Sequence, residues 1–235
     1  MIFNDLLLIG NNQQYLRIFE TFIMGIIMQK NVIFYLHGFN SASLDAKGRL
    51  LIRKDKLRVL QDFCISNDIL LTARNVDYRD FEALVEDALF AWNQYLDQGC
   101  EVVFMGSSMG GFASEYLAMK TGTKAVMINP VIRPSELLPR FIGVEANYET
   151  GEPYHWLQSH CDQYVSHERR LADNLLAIDR TVLLDRDDEL LDAEKTRLKY
   201  QAIAHVVTFD GGSHAFDHMQ QALPVIEDVI LGPRR

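Results

Sequence analysis

At 235 residues, with 48% hydrophobic side chains, the chain has the length of one α/β-type domain and enough apolar matter for a sizeable core. A formal net charge of -9 and the lack of any basic patch argue against nucleic acid and anionic membrane surfaces as partners. The three cysteines, Cys64, Cys100 and Cys161, are odd in number and far apart. They form neither a zinc spacing nor a disulfide framework, so a reducing compartment is the default expectation.

Residues 1–30 read as an N-terminal extension. The apolar runs Met1–Ile9 and Phe22–Met28 are each shorter than the ~20 residues a membrane-spanning helix needs. The first basic residue is Arg17, which does not suit a secretory signal. A packed or loosely attached helix is expected here, with Met28 as an alternative start of the chain.

Val32–Leu36 is the first strand, rich in β-branched and aromatic residues and closed by the turn His37-Gly38-Phe39-Asn40-Ser41. Lys47–Asn67 reads as a helix through Leu50, Leu51, Leu57, Leu60 and Phe63. Ile69–Ala73 follows as a strand. Asp80–Gln98 follows as a helix with a stripe of Phe81, Leu84, Val85, Leu89, Trp92 and Leu96. Glu101–Met105 is a strand, and the segment from Gly111 to about Thr121 a helix. Ala125–Ile128 is a fourth strand, halted by the prolines of Asn129-Pro130-Val131-Ile132-Arg133-Pro134. The irregular, aromatic-containing stretch 135–170 reads as a small helical lid, with Leu171–Ile178 a short helix. Thr181–Leu184 and Val206–Phe209 are the last strands, with helices Ala193–Gln201 and Met219–Leu231. Strand–helix alternation predicts an α/β fold. It would have a mostly parallel six-stranded sheet flanked by helices, in one domain over 31–235.

Between the third strand and its helix lies Gly106-Ser107-Ser108-Met109-Gly110. Strand, G-x-S-x-G, helix is the nucleophile elbow, in which a cramped turn projects the central serine above the sheet. Ser108 holds that position. In a parallel sheet, sites lie beyond the carboxyl ends of the strands. The fifth strand ends in Asp185-Arg186-Asp187-Asp188-Glu189, and the sixth in Asp210-Gly211-Gly212-Ser213-His214. Serine, acid, histidine is the chain order of α/β-hydrolases. A serine hydroxyl needs a base to take its proton, and an imidazole titrates in the right range. A carboxylate behind that imidazole sets its tautomer. The backbone N–H groups of Phe39 and Met109 are the expected oxyanion donors.

The motifs Tyr35–Ser41, Gly106–Gly111, Asn129–Pro134, Asp188–Asp192 and Gly212–Phe216 together resemble the YqiA-like and YcfP-like small bacterial esterases of the α/β-hydrolase superfamily, over about residues 31 to 225. The resemblance implies a cytoplasmic carboxylesterase or thioesterase with no cofactor. It implies Ser108, Asp188 and His214 as catalytic residues. Asp185 and Asp187 remain alternatives for the acid, and residues 1–27 have no counterpart in the family pattern. His37, Asn40, Ser41 and Arg133 are candidates for substrate contact or loop support. The expected partner is a small ester or thioester, with no nucleic acid and no stable membrane insertion. No metal site is expected. His205 is expected to be structural, and His155, His160 and His167 to be surface or lid residues. The contrasting reading is a non-catalytic α/β-hydrolase-fold protein that binds a small ligand or a protein partner.

Overall fold

The computed structural model describes residues 31–52 and 55–232, so the expectations for residues 1–30 fall outside the described residues. Six strands form one sheet: β1 (Asn31–Leu36), β2 (Leu70–Arg74), β3 (Glu101–Ser107), β4 (Lys124–Ile128), β5 (Asp179–Asp185) and β6 (His205–Phe209). Their order is β2-β1-β3-β4-β5-β6, and every pairing is parallel. Strand order reverses between β1 and β3, so the loops after these adjacent strands diverge and leave a crevice at their carboxyl ends. Leu36 pairs in register with Gly106, so the turn at His37 and the elbow start side by side.

The strands bury both faces, which is why they read as continuous apolar runs rather than alternating ones. Val32, Phe34, Val102, Phe104, Ala125, Met127 and Val182 face one layer. That layer is built from α2 (Phe81–Asp97), α3 (Met109–Thr121) and the segment that follows β4. Ile33, Tyr35, Val103, Met105, Val126 and Leu183 face the other layer, α1 (Asp55–Ser66) and α8 (Met219–Leu231).

The helix expected from Lys47 begins only at Asp55. Asp45 intervenes: its carboxylate accepts the N–H groups of Lys47 and Arg49 at 2.9 Å each, while Gly48 turns at φ 73°. Leu50 therefore bridges back to Leu44 instead of continuing a helix. A local side chain-to-backbone bond has outcompeted helical periodicity. In α2, Asp80 caps the helix by accepting from the Ala83 N–H, and Phe81, Leu84 and Val85 are buried as expected. Leu96 is not; it stands 52% exposed at the helix end.

The segment after β4 carries α4 (Pro134–Leu137), a 3-10 turn (Leu138–Phe141), α5 (Gln158–Asp162) and α6 (Tyr164–Asp173). A second 3-10 turn, Leu175–Ala177, stands where a short helix over Leu171–Ile178 was expected. Of the aromatic residues in 135–170, Tyr154, Trp156 and Tyr164 are core, while Tyr148 stands exposed. Trp156 donates to the Leu138 carbonyl at 3.2 Å, and Tyr164 to the Tyr78 carbonyl at 2.7 Å. His167 is also interior, packed edge-on to Phe81 and Tyr116, rather than on the surface. Helix α7 (Ala193–Tyr200) precedes β6, and His205 is the first residue of that strand.

Candidate active site

The elbow takes its shape from local chemistry. Ser108 has φ 58° and ψ -119°, a conformation that non-glycine residues hold only under constraint and at a cost of about 1–3 kcal/mol. The constraint is a set of backbone bonds. The Ser108 N–H donates to the Ile128 carbonyl at 2.9 Å, and the Ser108 carbonyl accepts from Gly111 at 2.9 Å and from Val131 at 3.1 Å. Gly110 is required because a Cβ there would collide with the Leu36 carbonyl. The Met109 N–H opens α3, where the first turn of a helix leaves its donors unused.

The turn after β1 lies against the elbow. A Cβ placed on Gly38 would sit 3.2 Å from the Ser108 Cβ. His37 holds that turn. Its Nε2 accepts from the Val76 N–H at 2.9 Å, so the proton is on Nδ1, which faces the Gly38 carbonyl at 2.7 Å. Tyr78 donates to the His37 carbonyl. Both ring nitrogens thus lie against backbone groups of the two adjoining turns. Asn40 Oδ1 accepts from the Tyr148 N–H at 3.1 Å, and the Ser41 carbonyl accepts from Asn147 Nδ2 at 3.0 Å. These two residues tie the turn to the segment after β4. The Phe39 ring packs on Phe141, Tyr154 and Trp156 of the same segment at centroid distances of 5.2, 5.9 and 4.7 Å.

The candidate acid and base come from the ends of β5 and β6. Asp188 Oδ2 lies 2.8 Å from His214 Nδ1, and the Asp188 side chain is 2% exposed. The other oxygen, Oδ1, accepts from Leu190 and Leu191 at 2.9 and 2.8 Å. A carboxylate only accepts, so Nδ1 of His214 carries the proton and Nε2 keeps its lone pair. The His214 N–H donates to Glu189 at 2.9 Å, and this bond holds the Glu189 carboxyl below its ordinary range. The two loops are laced together further, Arg186 N–H to the Phe209 carbonyl and Asp187 N–H to the Gly211 carbonyl.

Asp185 takes a different partner. It is fully buried, and its Oδ1 lies 2.8 Å from His218 Nδ1. Asp187 is exposed. Of the three aspartates after β5, Asp188 alone meets His214. Asn129, given no role from the sequence, bridges the parts. Its Oδ1 accepts the Asp185 N–H at 2.9 Å, and its Nδ2 donates to the Ser213 carbonyl at 2.9 Å. Asn129 sits at φ 40°, with its own N–H donating to the Leu183 carbonyl of β5 at 2.9 Å. A polar residue between a buried strand and a proline was the available signal.

Arg133 pairs with Glu136 at the surface and lines a cleft of about 220 Å³ with Pro130, Val131, Leu137, Leu190 and Leu191. Among the described residues, no group of three His, Cys, Asp or Glu side chains is placed to hold a metal ion. No described helix is long and apolar enough to cross a membrane.

The fold recurs in solved structures. Est1E from Butyrivibrio proteoclasticus aligns with a TM-score of 0.63 at 13% identity, covering 85% of this chain and 86% of that one. An esterase domain from a Rhodothermus marinus protein aligns at 0.60 and 16% identity, covering 88% and 87%. A putative hydrolase from Agrobacterium vitis aligns at 0.58 and 18%, covering 84% and 88%. These likenesses establish an α/β-hydrolase fold. In sequence, a UPF0227 protein of Shewanella sp. strain MR-4 is 27% identical over 203 residues, 86% of this chain and 100% of that protein. One from Vibrio vulnificus is 26% identical over 198 residues, 82% and 94% of the two chains. The profile of the uncharacterised protein family UPF0227 matches residues 32–230, and the chain belongs to that family.

Proposed function

We propose that this protein is a serine hydrolase that cleaves carboxylic esters or thioesters through an acyl-Ser108 intermediate. The observation that carries the reading is the 2.8 Å bond between Asp188 and His214, formed at the same sheet edge as a strained serine elbow. The esterase identity of several proteins with this fold supports it.

In the acylation step, His214 Nε2 takes the Ser108 hydroxyl proton as Oγ bonds to the substrate carbonyl carbon. The imidazolium that forms is stabilised by Asp188, which stays ionised. The carbonyl oxygen becomes an oxyanion, met by the backbone N–H groups of Met109 and Phe39. Collapse breaks the bond to the leaving group, which departs with the proton from His214. Water then enters, loses a proton to the same Nε2, and releases the carboxylic acid and free Ser108. The partly exposed Phe39, in the turn beside the elbow, favours an apolar acyl or aryl group, and no cofactor or metal has a part in these steps.

Fluorophosphonate labelling followed by mass spectrometry tests the assignment. An adduct on Ser108 that disappears in His214→Ala is the expected result. A folded wild-type protein that takes no label and turns over neither short acyl esters nor acyl thioesters would overturn it, leaving a ligand-binding protein of hydrolase fold.

A further inference from the structure

Asp185 and His218 form a second carboxylate–imidazole pair beside the first, again through the ring Nδ1 and at the same 2.8 Å separation. The proposed chemistry does not use it. Its surroundings say what it holds. Asp185 Oδ2 accepts the N–H of Ser213 at 3.1 Å and that of Asp217 at 2.7 Å, while Oδ1 faces His218. These three donors flank His214 on both sides. The loop thus wraps the carboxylate, and Gly211 and Gly212 make this possible at φ 78° each; a Cβ on Gly212 would run into the carboxylate itself. The His218 ring is stacked on Phe209 at 5.2 Å with 10° between planes, so its Nδ1 is aimed, not merely near. Asn129 completes the brace by holding the Ser213 carbonyl and the Asp185 N–H together.

We infer that Asp185 and His218 are positioning residues, a brace that fixes the Ser213–His218 turn and thereby holds the His214 imidazole in register with Asp188 and Ser108. This rests on the proposed role of His214. An imidazole displaced by about 1 Å loses on the order of 100-fold in rate, since proton transfer depends on aligned geometry. Substrate binding, which the brace does not touch, is unaffected.

Two variants separate positioning from bulk stability. In His218→Leu the ring donor is lost. In His218→Asn, Nδ2 stands where Nδ1 stood, the same number of bonds from Cβ, and the donor is kept. With p-nitrophenyl acetate under conditions where each variant is fully folded, kcat of His218→Leu is expected to fall about 10- to 100-fold with KM within about twofold. His218→Asn is expected to recover most of that loss. An unchanged kcat in His218→Leu, or equal losses in both variants, would overturn the inference. The proton NMR signal of the His214 Nδ1–H gives a readout independent of turnover. It should be sharp in wild type and His218→Asn, and broadened by exchange in His218→Leu; an equally sharp signal in His218→Leu would also overturn the brace. If the wild-type protein shows neither turnover nor label, the esterase reading fails, and the NMR comparison still decides whether His218 holds the His214 turn.

Discussion

The elbow after β3 and the acid–base arm after β5 and β6 reach their geometry by opposite routes. The elbow is local. Gly106 to Gly111 are consecutive and carry the whole turn, which Ile128 at the end of the adjacent β4 and Val131 just after it then hold in place. The arm is assembled from afar: Asp188 and His214 are 26 positions apart, and Asn129, 84 positions from Ser213, holds the turn between them. The residues of a local motif are brought together by the chain itself, whereas those of an assembled one depend on every loop that meets in it.

Removing the proposed nucleophile gives the largest contrast. Ser108→Ala should lower kcat by about 10⁶-fold with short acyl esters and abolish fluorophosphonate labelling, leaving the circular dichroism spectrum unchanged. Ser108→Gly should be equally inactive yet unfold at higher denaturant, because glycine relieves the backbone strain.

The two aspartates then divide the arm. Asp188→Asn should cost about 10⁴-fold in kcat, since the amide favours the wrong imidazole tautomer, with little change in stability. Asp185→Asn should do the reverse. Its rate loss is smaller, but an amide cannot accept from all three donors, and a loss of about 1–3 kcal/mol in unfolding free energy, read as a lowered denaturation midpoint, should follow. Equal effects of the two substitutions on rate would break the distinction between a catalytic and a bracing carboxylate. Gly212→Ala should resemble Asp185→Asn in both assays, because it pushes the same turn off the same carboxylate.

The smallest effect expected is at His167, outside both regions. Burial in the aromatic cluster lowers its pKa from 6.5. The native state therefore binds less proton than the unfolded one as pH falls through that value, and stability should drop on acidification. His167→Phe should flatten this slope in denaturant titrations between about pH 7 and 5, without altering kcat at neutral pH.

Patterns confined to consecutive residues were readable from the chain alone. The six strands, the elbow and the helix over Met219–Leu231 all follow from short runs whose apolar content or glycine placement leaves few alternatives. Where a polar side chain met nearby backbone, periodicity misled: Asp45 ends the pattern that predicted a helix from Lys47. In the segment 135–170 the aromatic residues were visible, but not that His167 joins them in the core. The family resemblance pointed to Asp188 as the acid, with Asp185 and Asp187 left as alternatives. Only the tertiary structure separated them, by ending β5 at a buried Asp185 and turning the next residues so that Asp188 faces His214. The same holds for His37, whose neighbours Val76 and Tyr78 arrive from the far side of β2. Hydrogen-bond partners drawn from separate strands leave no periodic trace in either segment, so the sequence by itself named the groups while the folded sheet decided which of them meet.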